Sequence, residues 1–331
     1  MVTIMITGVG GGVGQSILKC LQDTPYRLIG VDSEPLGTGL YTAAKAYQVP
    51  YASHPTYIDR MVSICKKEKC NLVFPGQDAE LPVLSHYSQR FTEEGITLVV
   101  SKEDVVQIAD DKLLTYQFLS RHGFDVPQTL PLTEDVLNNL LFPFIIKPQK
   151  GGARSRGVFI IKDENEFRWR ASIVEANNYV AQEYISGDEY TCGSINFDGC
   201  CHGTIVMRRI LRDGDTYKAF VVKNPVIESY VKAVAEKIKP FGACNFQLRL
   251  KEGKPHIFEI NARCSGTTYS RALAGFNEPL MIAEYLIDQK QPVYDIREIS
   301  IFRYWKELVV ENSRIEIMQK SGTLSGNGSK L

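Results

Sequence analysis

Along the first hundred residues, short β-branched and aliphatic runs alternate with segments whose apolar positions recur every three or four residues. Residues 2–7 read as a strand, followed by glycines and then by QSILKCL, in which Ile17, Leu18 and Leu21 share one helical face. Residues 27–32, 72–74 and 96–100 read as further strands, and residues 57–67 as a helix. Strands separated by helices of this length predict a parallel sheet with right-handed crossovers. Ligands of such sheets collect at the carboxyl ends of the strands. Here those ends are residues 8–14, 32–35 and 75–80, rich in glycine, proline and acid.

Past Ala109 the pattern changes. Asp110 or Asp111 is placed to cap the helix KLLTYQFLSRHG, which stops at Gly123. After Pro127 the strands cluster. Residues 144–147 and 157–161 form a predicted hairpin whose long tip, PQKGGARSR, is basic and glycine-rich. Residues 180–183, 190–197 and 204–211 continue as β, then a helix over 227–239 and strands over 243–250 and 256–261 follow. The expected fold is an α/β Rossmann-like parallel sheet over residues 1–108, then an α+β region over 109–290 whose first part, to about 180, carries the hairpin. The extension 291–331 has weak periodicity, and its SGTLSGNGSKL end is expected to fray. No internal repeat is visible.

Composition narrows the functional classes. The 38 basic and 38 acidic side chains cancel, so the chain has no overall field for a nucleic-acid backbone or an anionic membrane. Its 331 residues suggest about two domains, and 44% hydrophobic with 23% charged residues is an ordinary globular balance. No apolar run reaches the roughly 18 residues of a membrane span. The opening MVTIMITGVGGGVG lacks a basic flank and meets glycine too early for a signal peptide. A cytoplasmic protein acting on small molecules is expected, with homodimerisation left open. Of the eight cysteines, Cys20, Cys65, Cys192 and Cys244 lie in apolar segments, Cys65 and Cys70 are too far apart for a zinc knuckle, and Cys200-Cys201 has no C-x-x-C partner. They read as reduced structural thiols.

Four segments carry candidate chemistry. GVGGGVG is a strand-to-helix turn suited to an anion, with Asp32 where a dinucleotide enzyme would hold a ribose. However, Val13 occupies the third glycine's place, and a turn that binds nothing accounts for it equally well. In the hairpin, Lys147 ends a strand and Lys150, Arg154, Ser155 and Arg156 ride on a tip that can close over phosphates. A solvated charged tip is the alternative. In AQEYISGDEYTCGS, the backbone of Glu183, Tyr184 and Ile185 can meet an adenine edge and Glu189 can accept from ribose hydroxyls; an acidic turn is the bland reading. In NFQLRLKEGKPHIFEINARCSGTT, a turn at Gly253 brings Gln247 beside Glu259, with Asn261 two residues on and therefore on the same face. Phe258 and Ile260 are expected to point into the core. This oxygen-only set suits Mg²⁺, which takes one or two carboxylates plus nucleotide phosphates. Arg263, on the same side, can stabilise charge on a transferring group. Arg208, Arg209, Lys218 and Ser265 are candidate substrate contacts. The five histidines are scattered, and no nucleophile–base set is spaced for covalent catalysis.

Taken together these segments resemble the ATP-grasp superfamily, in the branch similar to one half of the carbamoyl-phosphate synthase large subunit. TGVGGGVGQSILKCL, GVDSEPLGTGLYTAAKAYQVP and FPGQDAELPVL are similar to a preATP-grasp domain, and DDKLLTYQFLSRHGFDVPQT to the start of the lid module. IIKPQKGGARSRGV, QEYISGDEYT and FEINARCSGTT are similar to the nucleotide and metal motifs, in the family's order. The resemblance implies that Lys112 and Lys147 contact ATP phosphates, under a loop that includes Gly151, Gly152, Ser155 and Gly157. It implies adenine at Glu183, Tyr184 and Ile185, ribose at Glu189, and Mg²⁺, with Mn²⁺ as the alternative ion, at Gln247, Glu259 and Asn261. Arg263 and Lys147 become the candidate catalytic residues. Gln247 departs from the commoner carboxylate. The implied activity is ATP-dependent ligation of a carboxylate to an amine through an acyl phosphate. The alternatives are a carbamoyl-phosphate synthase-like enzyme, against which the single copy argues, and an NAD(P)-dependent oxidoreductase, which leaves Glu259 and Asn261 without a role.

Overall fold

The computed structural model describes residues 1–326 and 330–331. β1 (Thr3–Ile6), β2 (Arg27–Asp32), β3 (Lys45–Gln48), β4 (Leu72–Phe74) and β5 (Thr97–Leu98) form a parallel sheet in the order β3-β2-β1-β4-β5. Alternation along β1 explains its two covered faces. Ile4 and Ile6 pack with Ile17, Leu18 and Leu21 of the helix Gly12–Leu21, whereas Met5 packs with Ile58, Met61 and Cys65 of the helix Tyr57–Glu68. The chain reverses its direction across the sheet at β1, so the loops after β1, β2 and β4 open on one crevice. The strand expected over 96–100 shrinks to two residues, and β3 appears between two predicted elements.

The helix Lys112–Arg121 leads into the second layer. Asp111, not Asp110, caps it, accepting from the Leu113 and Leu114 amides at 2.9 and 3.1 Å. β6 (Thr129–Pro131), β7 (Phe144–Pro148), β8 (Phe159–Ile161) and β9 (Tyr179–Glu183) form a small antiparallel sheet, ordered β6-β9-β7-β8, with Phe144 opposite Ile161 in the expected hairpin.

The third layer is antiparallel. β10 (Glu189–Phe197), β11 (Cys200–Arg212), β12 (Asp215–Val221), β13 (Gly242–Lys251), β14 (Lys254–Asn261) and β15 (Ser300–Phe302) pair in the order β14-β13-β10-β11-β12-β15. One face packs the helix Pro225–Ile238 through Val231, Val234 and Ile238. The other packs the helix Glu278–Asp288, in a core continuous with Ile17 and Leu18 of the first layer. That shared core fixes the first sheet's crevice against the central sheet.

Two expectations are corrected here. Opposite Gln247 lies Glu259, but opposite Leu248 lies Ile257, so Phe258 is a β-bulge. The extra residue resets the alternation: Ile257 and Ile260 both enter the core, and Phe258 stays half-buried. The tail, of weak periodicity and with its SGTLSGNGSKL end expected to fray, forms β15, a helix over Asn312–Ser321 with Met318 fully buried, and, within that end, β16 (Thr323–Ser325) antiparallel to β3. Residues 327–329 of the SGTLSGNGSKL stretch lie outside the described residues.

Candidate active site

The crevice, the hairpin tip and the open face of the central sheet enclose a cavity of about 690 Å³. Gln247, Glu259, Asn261, Arg263, Lys112, Arg209, Ser265, Gly151 and Gly152 all line it. Arg154 and Arg156 of the tip do so as well. Lys147, Ser155, Gly157, Glu183, Tyr184, Ile185, Glu189 and Lys218 do not.

The strand register gives the oxygen cluster its shape. Gln247 faces Glu259 and Asn245 faces Asn261 across β13 and β14. The Gln247 and Asn261 side-chain amides donate to Glu259 Oε1 at 3.2 and 3.1 Å, and Asn245 donates to Asn261 Oδ1 at 3.0 Å. Glu259 is the single carboxylate of this set; among the described residues no three His, Cys, Asp or Glu side chains gather as a metal cluster. One carboxylate with two amide oxygens is a hard donor set that fits Mg²⁺ or Mn²⁺ sharing phosphate oxygens.

Behind the cluster lies a residue set that the motifs did not reveal. Arg271, fully buried, donates to Glu278 at 2.8 Å, to Asn245 Oδ1 at 2.5 Å and to Thr191 at 3.1 Å. Gly193 leaves the notch the pair occupies, since a Cβ there would overlap both side chains. Burial lifts the Glu278 carboxyl above its usual range, and Arg271 only partly pulls it back.

Arg263 is not free in the cavity. Its Nε and Nη2 hold Asp78 in a two-pronged pair at 2.8 and 2.6 Å, and its Nη1 donates to the Cys264 carbonyl. Asp78 comes from the loop after β4, so one ion pair joins the first layer to the third. The acid-rich strand end at residues 75–80 was the available sequence signal for it.

Lys147 lies beneath the cavity rather than on its wall. Its Nζ donates to Gln182 Oε1 at 2.7 Å and to the Phe258 carbonyl, exposed by the bulge, at 3.1 Å. Burial, with the Lys112 charge second, pushes this ammonium down to about 7. Lys112 donates to the Gly151 carbonyl at 2.8 Å, tying the helix start to the glycine loop. That loop rests on the β11–β12 turn: Arg154 pairs with Asp215 at 3.1 Å, and a Cβ on Gly214 would overlap the Arg154 carbonyl.

Of the adenine and ribose candidates, the Ile185 carbonyl accepts from Arg249 at 3.0 Å, and Glu183 pairs with Lys251 at 2.7 Å. Glu189 is clamped between Arg209 and Arg249 at 2.5 and 2.9 Å. Burial would raise its carboxyl, but the two guanidiniums outweigh that and hold it below the usual range. Lys218 is corrected as a cavity residue: its Nζ sits over the Phe302 and Tyr217 rings at 5.6 and 5.5 Å, drawn aside by β15 at the sheet edge. Arg208 stacks on Phe220 at 4.5 Å. Asp32 accepts from the Gly10 and Glu34 amides at 2.6 and 2.9 Å, so the glycine loop engages the carboxylate that a nicotinamide ribose would need.

Comparison with known proteins finds relatives of both parts of the chain. Residues 4–99 match the PylC-like N-terminal domain, and residues 175–307 match the ATP-grasp family of a biosynthetic pathway with the Ter operon. A D-alanine–D-alanine ligase of Petrotoga mobilis is 34% identical over 122 residues, which cover 36% of this chain and 38% of that one. The carbamoyl phosphate synthase large chain of Thermoanaerobacter sp. is 21% identical over 273 residues, 76% of this chain but 24% of that one. The N5-carboxyaminoimidazole synthetase of Staphylococcus aureus, solved with ADP, superposes with a TM-score of 0.70 at 16% identity, over 89% of this chain and 80% of that one. Residues 4–99 thus carry a PylC-like domain that contributes one wall of the cleft, and residues 175–307 an ATP-grasp domain, in a fold shared with ATP-grasp enzymes.

Proposed function

We propose that this enzyme activates a small-molecule carboxylate as an acyl phosphate and passes the acyl group to an amine. One observation carries the reading: Gln247, Glu259, Asn261 and Arg263 line the same cavity as Lys112 and the glycine-rich tip. That arrangement supplies cations for a triphosphate, oxygens for a divalent ion and a guanidinium for the reacting group, with a cover to exclude water.

In this reading a carboxylate oxygen attacks the γ-phosphorus, the bond to the β–γ bridging oxygen breaks, and ADP leaves. The amine then attacks the acyl carbon, the carbon–oxygen bond to phosphate breaks, and the amine loses its proton. The chain's part is alignment and charge neutralisation, with no covalent side chain. Lys112 holds phosphates and Lys147 adds its charge from beneath them, Gly151, Gly152, Ser155 and Gly157 cover them, and Arg263 releases Asp78 to meet the acyl or phosphoryl group. Glu183, Tyr184 and Ile185 meet adenine, Glu189 orders the ribose side through its two arginines, and Ser265 faces the substrate. Glu259 and Asn261, with Gln247 beside them, would hold Mg²⁺ or Mn²⁺, which would neutralise charge on the transferring group. Among the described residues no helix is long and apolar enough to cross a membrane. Cytoplasmic residence is part of the proposal and suits eight free cysteines, seven of them buried.

The test is a screen of amino-acid pairs for ADP and phosphate release, run beside Glu259→Ala. Wild-type turnover should require both a carboxylate and an amine, and Glu259→Ala should abolish it with an unchanged melting curve. Full turnover in that variant would remove the metal assignment, and ADP formed with bicarbonate alone would favour the carbamoyl-phosphate alternative.

A further inference from the structure

The ligase reading implies at least one divalent ion, and the residues around Gln247 bear on how many. Arg209 Nη2 donates to Gln247 Oε1 at 2.6 Å. The same guanidinium is fixed from behind: its Nε and Nη2 bind Glu189 Oε1 at 2.9 and 2.5 Å, and its Nη1 reaches Thr216 at 3.4 Å. β10 lies between β11 and β13 in the sheet, and Glu189 is in register with Arg209 on one side and Arg249 on the other, so Arg209 is locked by the strand pairing itself. Its side chain is only 10% exposed.

Gln247 therefore commits its carbonyl oxygen to a guanidinium that Glu189 already holds in place, and it brings no negative charge of its own. The carboxylate of the cluster lies instead at Glu259, which accepts from the Gln247 and Asn261 amides. A second divalent ion beside Gln247 would face a guanidinium bound to the same oxygen. Phosphate oxygens reduce that opposition but do not remove the competition for Gln247 Oε1.

We infer that this enzyme works with one divalent cation, held by Glu259 and Asn261, and that Arg209 supplies the positive charge at the position a second ion would take beside Gln247. The inference rests on the ligase reading above. Arg209 is thereby a phosphate-facing cation rather than a clamp for the substrate carboxylate.

The experiment counts ions. Mn²⁺ is titrated into the full chain, held in excess over a β,γ-methylene analogue of ATP, and free Mn²⁺ is measured by electron paramagnetic resonance. One tightly held ion per nucleotide is expected for the wild type. Gln247→Glu should remain at one, because the new carboxylate pairs with Arg209. Gln247→Glu combined with Arg209→Met should rise to two. Two ions on the wild type overturn the inference, as does a count of one on the double variant with its nucleotide affinity and melting curve intact. If the double variant fails to fold, the wild-type and Gln247→Glu counts still decide. Nucleotide that binds without any added Mn²⁺ retention overturns the ligase reading itself, a result distinct from a count of two.

Discussion

Glu278→Ala isolates the buried support behind the oxygen cluster. Arg271 and Glu278 are both fully buried and 2.8 Å apart, and the remaining Arg271 bonds run to Asn245 and Thr191. Removing the carboxylate leaves a guanidinium with no counter-charge inside a dry wall, a change that costs about 3–5 kcal/mol. With about 2 °C of melting temperature per kcal/mol for a chain of this size, the apparent Tm should fall by about 6–10 °C. Pairing Arg271→Met with Glu278→Leu removes both charges and fills their volume, so it should regain most of that loss. Differential scanning fluorimetry and urea midpoints on the wild type, Arg271→Met, Glu278→Leu and the double variant give the coupling energy, with Glu278→Ala measured beside them. A single variant that loses less than about 1 kcal/mol, or a double variant that loses the sum of two singles, would refute the reasoning. The first result would mean that Glu278 already carries its proton in the folded protein, the direction in which burial pushes it.

Two further expectations concern nucleotide binding. Lys147 sits near 7 in the free protein, and phosphates favour its charged form, so binding raises its pKa and takes up a proton between the free and bound values. Calorimetry at pH 8 in two buffers of different ionisation enthalpy should show uptake approaching one proton, fading below about pH 6 where the ammonium is already charged; no uptake at pH 8 would sink the assignment of Lys147 to a phosphate. Gly214→Ala places a Cβ against the Arg154 backbone at a φ of +77°. The tip should lift, with ADP binding weakened about 5- to 30-fold for about 1–2 kcal/mol of strain, and with faster proteolysis within residues 150–157. Unchanged cleavage and affinity would separate the tip from the site.

Much of the scaffold was readable because alternation and glycine punctuation are local properties. The β1 loop, the hairpin and the juxtaposition of Gln247 with Glu259 follow from strand period and a tight turn at Gly253. The Phe258 orientation does not, since a bulge depends on register with a partner strand. Nor does Lys147's seat under the cavity, which depends on that same bulge exposing a carbonyl. Asp78, Asn245 and Arg271 share the difficulty: each gains its role from a residue far away in the chain. The tail looked structureless because β15 and β16 are only three residues each and borrow their pairing from sheets laid down earlier. Lys218 looked cavity-facing until β15 covered that edge of β12.

The pairing of β16 with β3 also sets a timetable. During synthesis β3 emerges early, but the strand that covers its outer edge arrives only at residues 323–325. At about 5–20 residues per second, that edge waits roughly 15–55 s before its own chain can close it. For that interval the nascent protein carries an open parallel-sheet edge, a template for pairing with a neighbouring chain on the same message. Slow translation of the long middle of the chain is thus a hazard for its beginning, and a message truncated shortly before residue 323 would release a protein whose cleft is nearly complete but whose first sheet stays adhesive.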